Sequence, residues 1–345
     1  MHLGILTGGG DAPGLNAVIR AVVYRAVAGG QSVTGFQRGW KGVIENLSRP
    51  LGIEDVRDIQ KQGGTILHSS RTNPFKIENG LVMIAETLSS LSVDCLIAVG
   101  GEDTLGVASR LSASGTRVLG VPKTIDNDLN ATDYTFGFDT AINSVTEALD
   151  RLETTARSHE RVIVVEIMGR HAGWMALHGG IAGGAHVILL PEEPFDTDEI
   201  CALLKRRFDE GRRWALVAVA EGASDPGLSR QIMHSSEPDA FGHVQLGTGI
   251  GIAEVLAGEI EQRSGLETRH VILGHLQRGG PPSAFDRVLG TRLGVKVVEM
   301  AEEGATGRMA SLRGGEIVSV DLAEAVGTLR TVPPDRYAMA KLFFG

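Results

Sequence analysis

Val162-Ile163-Val164-Val165-Glu166-Ile167-Met168-Gly169-Arg170 decides the fold: an apolar, β-branched run that passes directly into glycine and a cation. Near-continuous apolar character suits a parallel strand covered on both faces by helices. Similar runs occur at 3–7, 32–36, 95–99, 117–121, 187–190, 215–220 and 270–273, each followed by glycine or polar residues and then a helical pattern. Strands alternating with helices predict an α/β fold with largely parallel sheets. The segment after Asp139 agrees, because Ile142, Val145, Leu149 and Leu152 fall on one helical stripe.

With 345 residues the chain exceeds the roughly 250–300 at which single cores stop growing, so two α/β lobes are expected. Apolar residues make up 42% against 22% charged, and the 46 glycines are dispersed, which argues against disorder. A formal charge of -9 argues against broad nucleic-acid or anionic-membrane binding, although a local basic pocket is compatible with it. No apolar run reaches the length of a membrane span, and no short repeat suggests a solenoid or propeller. Met1 leads at once into Leu3-Gly4-Ile5-Leu6, so no signal peptide is expected. Cys95 and Cys201 lack metal or redox spacing and read as reduced thiols of a cytoplasmic protein. Residues 222–243, with two prolines among glycines, serines and charges, read as an inserted loop.

In parallel sheets ligands bind beyond the carboxyl ends of the strands, so the residues just after each run are where chemistry is sought. Four of these ends read Gly8-Gly9-Gly10-Asp11-Ala12-Pro13-Gly14, Gly100-Gly101-Glu102-Asp103-Thr104, Pro122-Lys123-Thr124-Ile125-Asp126-Asn127-Asp128 and Met168-Gly169-Arg170. The first loop lets backbone N–H groups approach phosphate, or is a tight turn. It has neither the dinucleotide spacing nor the Lys-Ser/Thr ending of a P-loop. Asp126-Asn127-Asp128 can supply a base and a magnesium ligand, or only an Asx turn. Lys123 and Arg170 nearby shift the reading toward magnesium-assisted phosphoryl transfer. Around a further strand end, Arg269, His275 and Arg278 read as phosphate capture.

Gly9-Gly10-Asp11-Ala12-Pro13-Gly14, Thr124-Ile125-Asp126-Asn127-Asp128, Met168-Gly169-Arg170 and Gly274-His275-Leu276-Gln277-Arg278-Gly279-Gly280, in this order, resemble the phosphofructokinase family. The resemblance spans nearly the whole chain. It implies two Rossmann-like lobes with an active site in the cleft between them, residues 1–138 plus about 276–327 binding the phosphoryl donor and 139–275 plus 328–345 binding fructose 6-phosphate. It implies Asp126 as the base, Asp128 and Glu102 as magnesium ligands, and Thr124, Lys123 and Arg170 about the phosphoryl group in transit. Fructose 6-phosphate would contact Thr124, Asp126, Met168, Gly169, Arg170, Glu221, His275 and Arg278. Arg161 and Arg269 would reach its 6-phosphate from a neighbouring subunit, in a homodimer or homotetramer with shared sites.

The donor is argued from departures. ATP-using relatives usually read Gly-Gly-Asp-Gly where this chain has Gly100-Gly101-Glu102-Asp103, and the Asp103 carboxylate would add bulk and negative charge against a third phosphate. Lys123 often stands as glycine in bacterial ATP-using relatives, and its ammonium suits the highly charged pyrophosphate. Gly9, Gly10, Arg71 and Lys76 complete the expected donor site, with Thr72 beside Arg71 where those relatives tend to place an aromatic. The expectation is therefore reversible phosphoryl transfer from pyrophosphate. An ATP-dependent enzyme and a catalytically silent sugar-phosphate or nucleotide sensor are the alternatives.

Overall fold

The computed structural model describes residues 1–228, 241 and 250–345. The part of the expected insertion at 229–240 and 242–243 lies outside the described residues. Twelve strands occur among those described: β1 (His2–Thr7), β2 (Ser32–Phe36), β3 (Ser48–Leu51), β4 (Cys95–Gly100), β5 (Val118–Thr124), β6 (Phe136–Gly137), β7 (Val162–Ile167), β8 (Val187–Leu189), β9 (Ala215–Ala220), β10 (Thr268–Ile272), β11 (Arg308–Arg313) and β12 (Glu316–Asp321). They form two sheets. The larger has the order β12-β11-β5-β4-β1-β2-β3 with β6 on β5, and the smaller β10-β7-β9-β8. Pairing is parallel throughout except at β2–β3 and β11–β12.

The side-chain period of two sorts the larger sheet's residues between two cores. On β4, Cys95, Ile97 and Val99 pack with helices Leu15–Ala28 and Ala284–Glu302, whereas Leu96 and Ala98 pack with Gly80–Ser90 and Glu102–Ala113. The smaller sheet shares one core with Phe138–Ser158, Trp174–Ala182, Thr197–Asp209 and Ile252–Ser264. Glu166 interrupts the apolar β7 for a reason: its buried carboxylate accepts the Ala253 N–H at 3.1 Å, in the first turn of Ile252–Ser264.

Two expectations about position change. β5 continues through Lys123 and Thr124, placed after the strand by sequence, because β6 returns to pair with those two residues. β10 begins at Thr268, so Arg269 sits near the start of its strand rather than at the end occupied by His275 and Arg278.

The bridge between the sheets is helix Phe138–Ser158, which follows β6 directly and leads to β7. Its stripe is as expected, with Val145 and Leu149 buried and Ile142 and Leu152 packed against the same core. The fully buried Asp286 accepts hydrogen bonds from Gly137 N (2.9 Å), Thr140 N (2.8 Å) and Thr140 Oγ1 (2.5 Å), fastening the start of this helix to Ala284–Glu302.

Candidate active site

The carboxyl ends of β1, β4, β5 and β7 converge on one small cavity of about 60 Å³. One side is backbone, Gly9-Gly10 after β1 and Gly101 after β4. Gly9 has φ 78°, a left-handed conformation that favours glycine. At Gly10 a Cβ would stand 2.3 Å from Arg278 Nη1, so the guanidinium occupies the space a side chain would need. Arg278 Nη1 donates to the Asp11 carbonyl at 3.3 Å, which carries this residue from beyond β10 across to the β1 loop.

Lys123 lies inside the larger sheet, only 4% exposed, and its ammonium donates to the Gly10 carbonyl. Burial, with the Arg278 charge adding to it, lowers its pKa to about 8 against the pull of Asp126, Asp11 and Asp128. Two cations thus share a glycine-walled space, an arrangement suited to a multiply charged phosphate anion.

The acids face these cations. Asn127 adopts a left-handed φ of 53°, and its Oδ1 accepts from Thr135 N at 3.0 Å, so the chain turns sharply between Asp126 and Asp128 and brings both to the cavity. Asp126 Oδ1 and Asp128 Oδ1 are buried without a hydrogen-bond partner, although Asp126 N–H is anchored on Thr124 Oγ1 at 3.0 Å. Burial first, then the Asp126 charge, pushes Asp128 up to about 7. Unpartnered buried carboxylate oxygens are the hard donors magnesium takes. Among the described residues no three acidic, histidine or cysteine side chains cluster to hold a metal alone. The donor chemistry of these two oxygens fits magnesium, which would need further ligands from outside the protein.

Arg170 enters from β7, left-handed at φ 50° after Gly169 at φ 143°. Glu221, at the end of β9, accepts Gly169 N (3.2 Å) and Arg170 N (3.0 Å) on one carboxylate oxygen. Burial raises Glu221 to about 7, those two N–H donors opposing it and Asp126 reinforcing it. Met168 is held similarly, its N–H donating to Gln277 Oε1 at 3.2 Å.

The cavity thus gathers Gly9, Gly10, Glu102, Asp103, Lys123, Thr124, Asp126, Asp128, Arg170 and Arg278 of the expected set, with Glu221 and Met168 in the frame behind it. His275 is exposed and lines a neighbouring surface hollow. Arg71 and Lys76 are exposed and line neither the cavity nor its neighbours. Arg161 and Arg269 do not enter it either, since both pair with Glu267, at 3.2 and 2.9 Å. Glu102 and Asp103, in the first turn of Glu102–Ala113, also border a second cavity of about 390 Å³, lined by Phe75, Val107 and Arg110. The Arg110 guanidinium stacks 4.5 Å from the Phe75 ring centroid there. Sequence reasoning missed Gln277 as a support, though it sits inside a quoted motif, and missed Arg330, whose Nη1 donates to the Asn127 carbonyl at 3.3 Å.

A family model described as Phosphofructokinase matches residues 2–301. The chain is 56% identical over 347 residues, covering all of both, to a protein of Amycolatopsis methanolica named pyrophosphate–fructose 6-phosphate 1-phosphotransferase. It is 51% identical over 342 residues, 99% of each chain, to ATP-dependent 6-phosphofructokinase 3 of Streptomyces coelicolor. The solved structure of Pichia pastoris phosphofructokinase in the T-state superposes with a TM-score of 0.84 at 32% identity, covering 94% of this chain and 35% of that one. This chain therefore spans about a third of the Pichia polypeptide. The strand-end motifs, the cavity they build and these likenesses agree: the chain belongs to the phosphofructokinase family.

Proposed function

We propose that the chain reversibly transfers a phosphoryl group from pyrophosphate to O1 of fructose 6-phosphate, giving fructose 1,6-bisphosphate and phosphate. The observation that carries this is the unpartnered, buried Asp126 Oδ1 in a cavity that also holds Lys123, Arg170 and Arg278. A lone carboxylate oxygen beside three cations has the chemistry of a base next to a phosphoryl-transfer path. Asp126 accepts the proton of the sugar 1-hydroxyl as that oxygen bonds to phosphorus and the P–O bond to the leaving phosphate breaks. Lys123, Arg170 and the Thr124 hydroxyl offset the charge on the phosphoryl oxygens. Asp128, with Glu102 at the rim, would hold magnesium, which when bound neutralises charge on the diphosphate.

Residues 1–138 with about 276–327 serve as the donor lobe, and 139–275 with 328–345 as the sugar-phosphate lobe. The gathering of β1–β6, β11 and β12 into one sheet supports that division. The sugar lies against Met168, Gly169, Glu221, His275 and Arg278, and Arg161 and Arg269 come from a second copy of the chain.

The donor reading rests on Asp103 and Lys123 and is supported by the name of the Amycolatopsis relative. One observation favours ATP instead: the 390 Å³ cavity beyond Asp103 is of the size that takes a small ligand, and an arginine-stacked phenylalanine suits a nucleoside. Initial rates of fructose 1,6-bisphosphate formation, with magnesium and either donor, separate the readings. Pyrophosphate is expected to be the faster donor. Equal or faster turnover with ATP overturns the assignment.

A further inference from the structure

Arg330 lies in the segment after β12, beyond residues 2–301 that match the family model. Its N–H donates to the Asp128 carbonyl at 2.8 Å, and its Nη1 donates to the Asn127 carbonyl at 3.3 Å. Its guanidinium carbon lies 4.5 Å from the centroid of the Trp174 ring, and Trp174 Nε1 donates to the Arg330 carbonyl at 2.9 Å. Two residues on, Val332 N donates to Glu192 Oε1 at 2.8 Å, and the same oxygen accepts Gly173 N at 2.9 Å. One residue therefore grips the main chain of the Asp126-Asn127-Asp128 turn and the first residue of helix Trp174–Ala182, which follows the Arg170 loop.

None of these contacts reaches into the cavity, and Arg330 is not among the residues that line it. The turn it grips is centred on Asn127 in the left-handed conformation that asparagine tolerates, and the two hydrogen bonds from Arg330 fix its main chain. Arginine suits the position, since one planar group can stack on an indole face and donate within its plane, which an ammonium cannot do. We propose that Arg330 is a positioning residue that sets the register of Asp126 against Arg170 across the cavity and so governs turnover rather than sugar-phosphate affinity. This inference rests on the phosphoryl-transfer reading above.

The test uses the full chain with pyrophosphate, magnesium and fructose 6-phosphate, and compares Arg330→Gln, Arg330→Lys, Trp174→Phe and the Gln/Phe double variant. Misplacement of reacting groups predicts a kcat about 10–100-fold lower for Arg330→Gln, with KM for fructose 6-phosphate within about threefold. Arg330→Lys is expected to recover only part of the loss. Because both residues act through one contact, the double variant is expected to lose less than the product of the single losses. Should Arg330→Gln be recovered unfolded, Trp174→Phe applies the same comparison of kcat with KM, because it deletes the donor to the Arg330 carbonyl while keeping an aromatic face. A folded Arg330→Gln with kcat within twofold of the unaltered protein overturns the inference. So does a fall in kcat and Tm together with a KM raised more than threefold and multiplicative single effects. An unaltered protein with no transfer from pyrophosphate or ATP overturns the functional reading and this inference together, which distinguishes the two failures.

Discussion

At Asp103 two physical roles coincide. The carboxylate stands in the first turn of Glu102–Ala113, where the helix dipole favours an acid by about 0.3–1 kcal/mol. It also borders both the small strand-end cavity and the larger cavity behind it, so a ligand extending from one to the other passes its charge. Close like charges at a partly exposed site repel by on the order of 1–3 kcal/mol. Asp103→Gly is accordingly expected to raise the ratio of kcat/KM for ATP to that for pyrophosphate by about 10–100-fold, at a small cost in Tm. Steady-state kinetics with both donors check this, and an unchanged ratio removes Asp103 as the discriminator. At Asp128 the balance is different. Its carboxylate is buried with one orphan oxygen and a neighbouring acid, an arrangement that costs the fold. Asp128→Asn is expected to stabilise the ligand-free protein at pH 8 by about 1–2 kcal/mol while lowering kcat by at least about a hundredfold. Thermal melts and initial rates measure the two effects separately. A destabilised variant would show that Asp128 holds the loop rather than the magnesium.

Among the elements, the junction of β6, helix Phe138–Ser158 and helix Ala284–Glu302 depends on Asp286. Asp286→Ala leaves the Gly137 and Thr140 N–H groups and the Thr140 hydroxyl without their acceptor, a loss of about 3 kcal/mol. Burial raises Asp286 to about 6, with the Thr140 and Gly137 hydrogen bonds opposing it, against an ordinary value of 3.8. The native state thus keeps a proton that the unfolded chain releases between about pH 4 and 6, so this group's contribution to stability falls as pH rises through that window. Denaturant titrations at pH 4.5 and 7 are expected to show a smaller pH slope for Asp286→Ala than for the unaltered protein. An equal slope would place the titration elsewhere. Sequence made neither this clasp nor several strands legible. The eight apolar runs announced themselves because covered strands must be apolar. β6 is two residues long, and β12 at the sheet edge and its neighbour β11 carry Arg308, Ser311, Ser319 and other polar residues. The available signal was Gly314-Gly315, both at positive φ as a two-residue hairpin turn requires. The acids and cations that line the strand-end cavity were legible because a parallel sheet gathers the residues after its strands at one edge. Arg330 was not, since it works through main-chain carbonyls that no side-chain pattern records.

For the whole molecule, the telling observation is what one chain fails to assemble. Arg161 precedes β7 while Met168 and Arg170 follow it, and six extended residues separate the two ends by roughly 20 Å. Arg269 stands near the corresponding start of β10, more than half exposed and paired with Glu267 and Glu261. If these arginines hold the 6-phosphate, they do so in the site of another copy, and each active site is built from two chains. Subunit mixing tests this directly. On the proposed reading, Asp126→Asn disables the base in its own chain's site, and Arg269→Ala removes a cation that its chain lends to the partner. In a mixed dimer one site receives both lesions and the other receives neither. Random pairing makes half of the dimers mixed, so two variants that are each inactive at low fructose 6-phosphate are expected to regain about a quarter of the unaltered activity on subunit exchange. Activity after exchange that stays at the average of the separate variants would mean that each site is complete within one chain and that Arg269 belongs to the surface where the single chain places it.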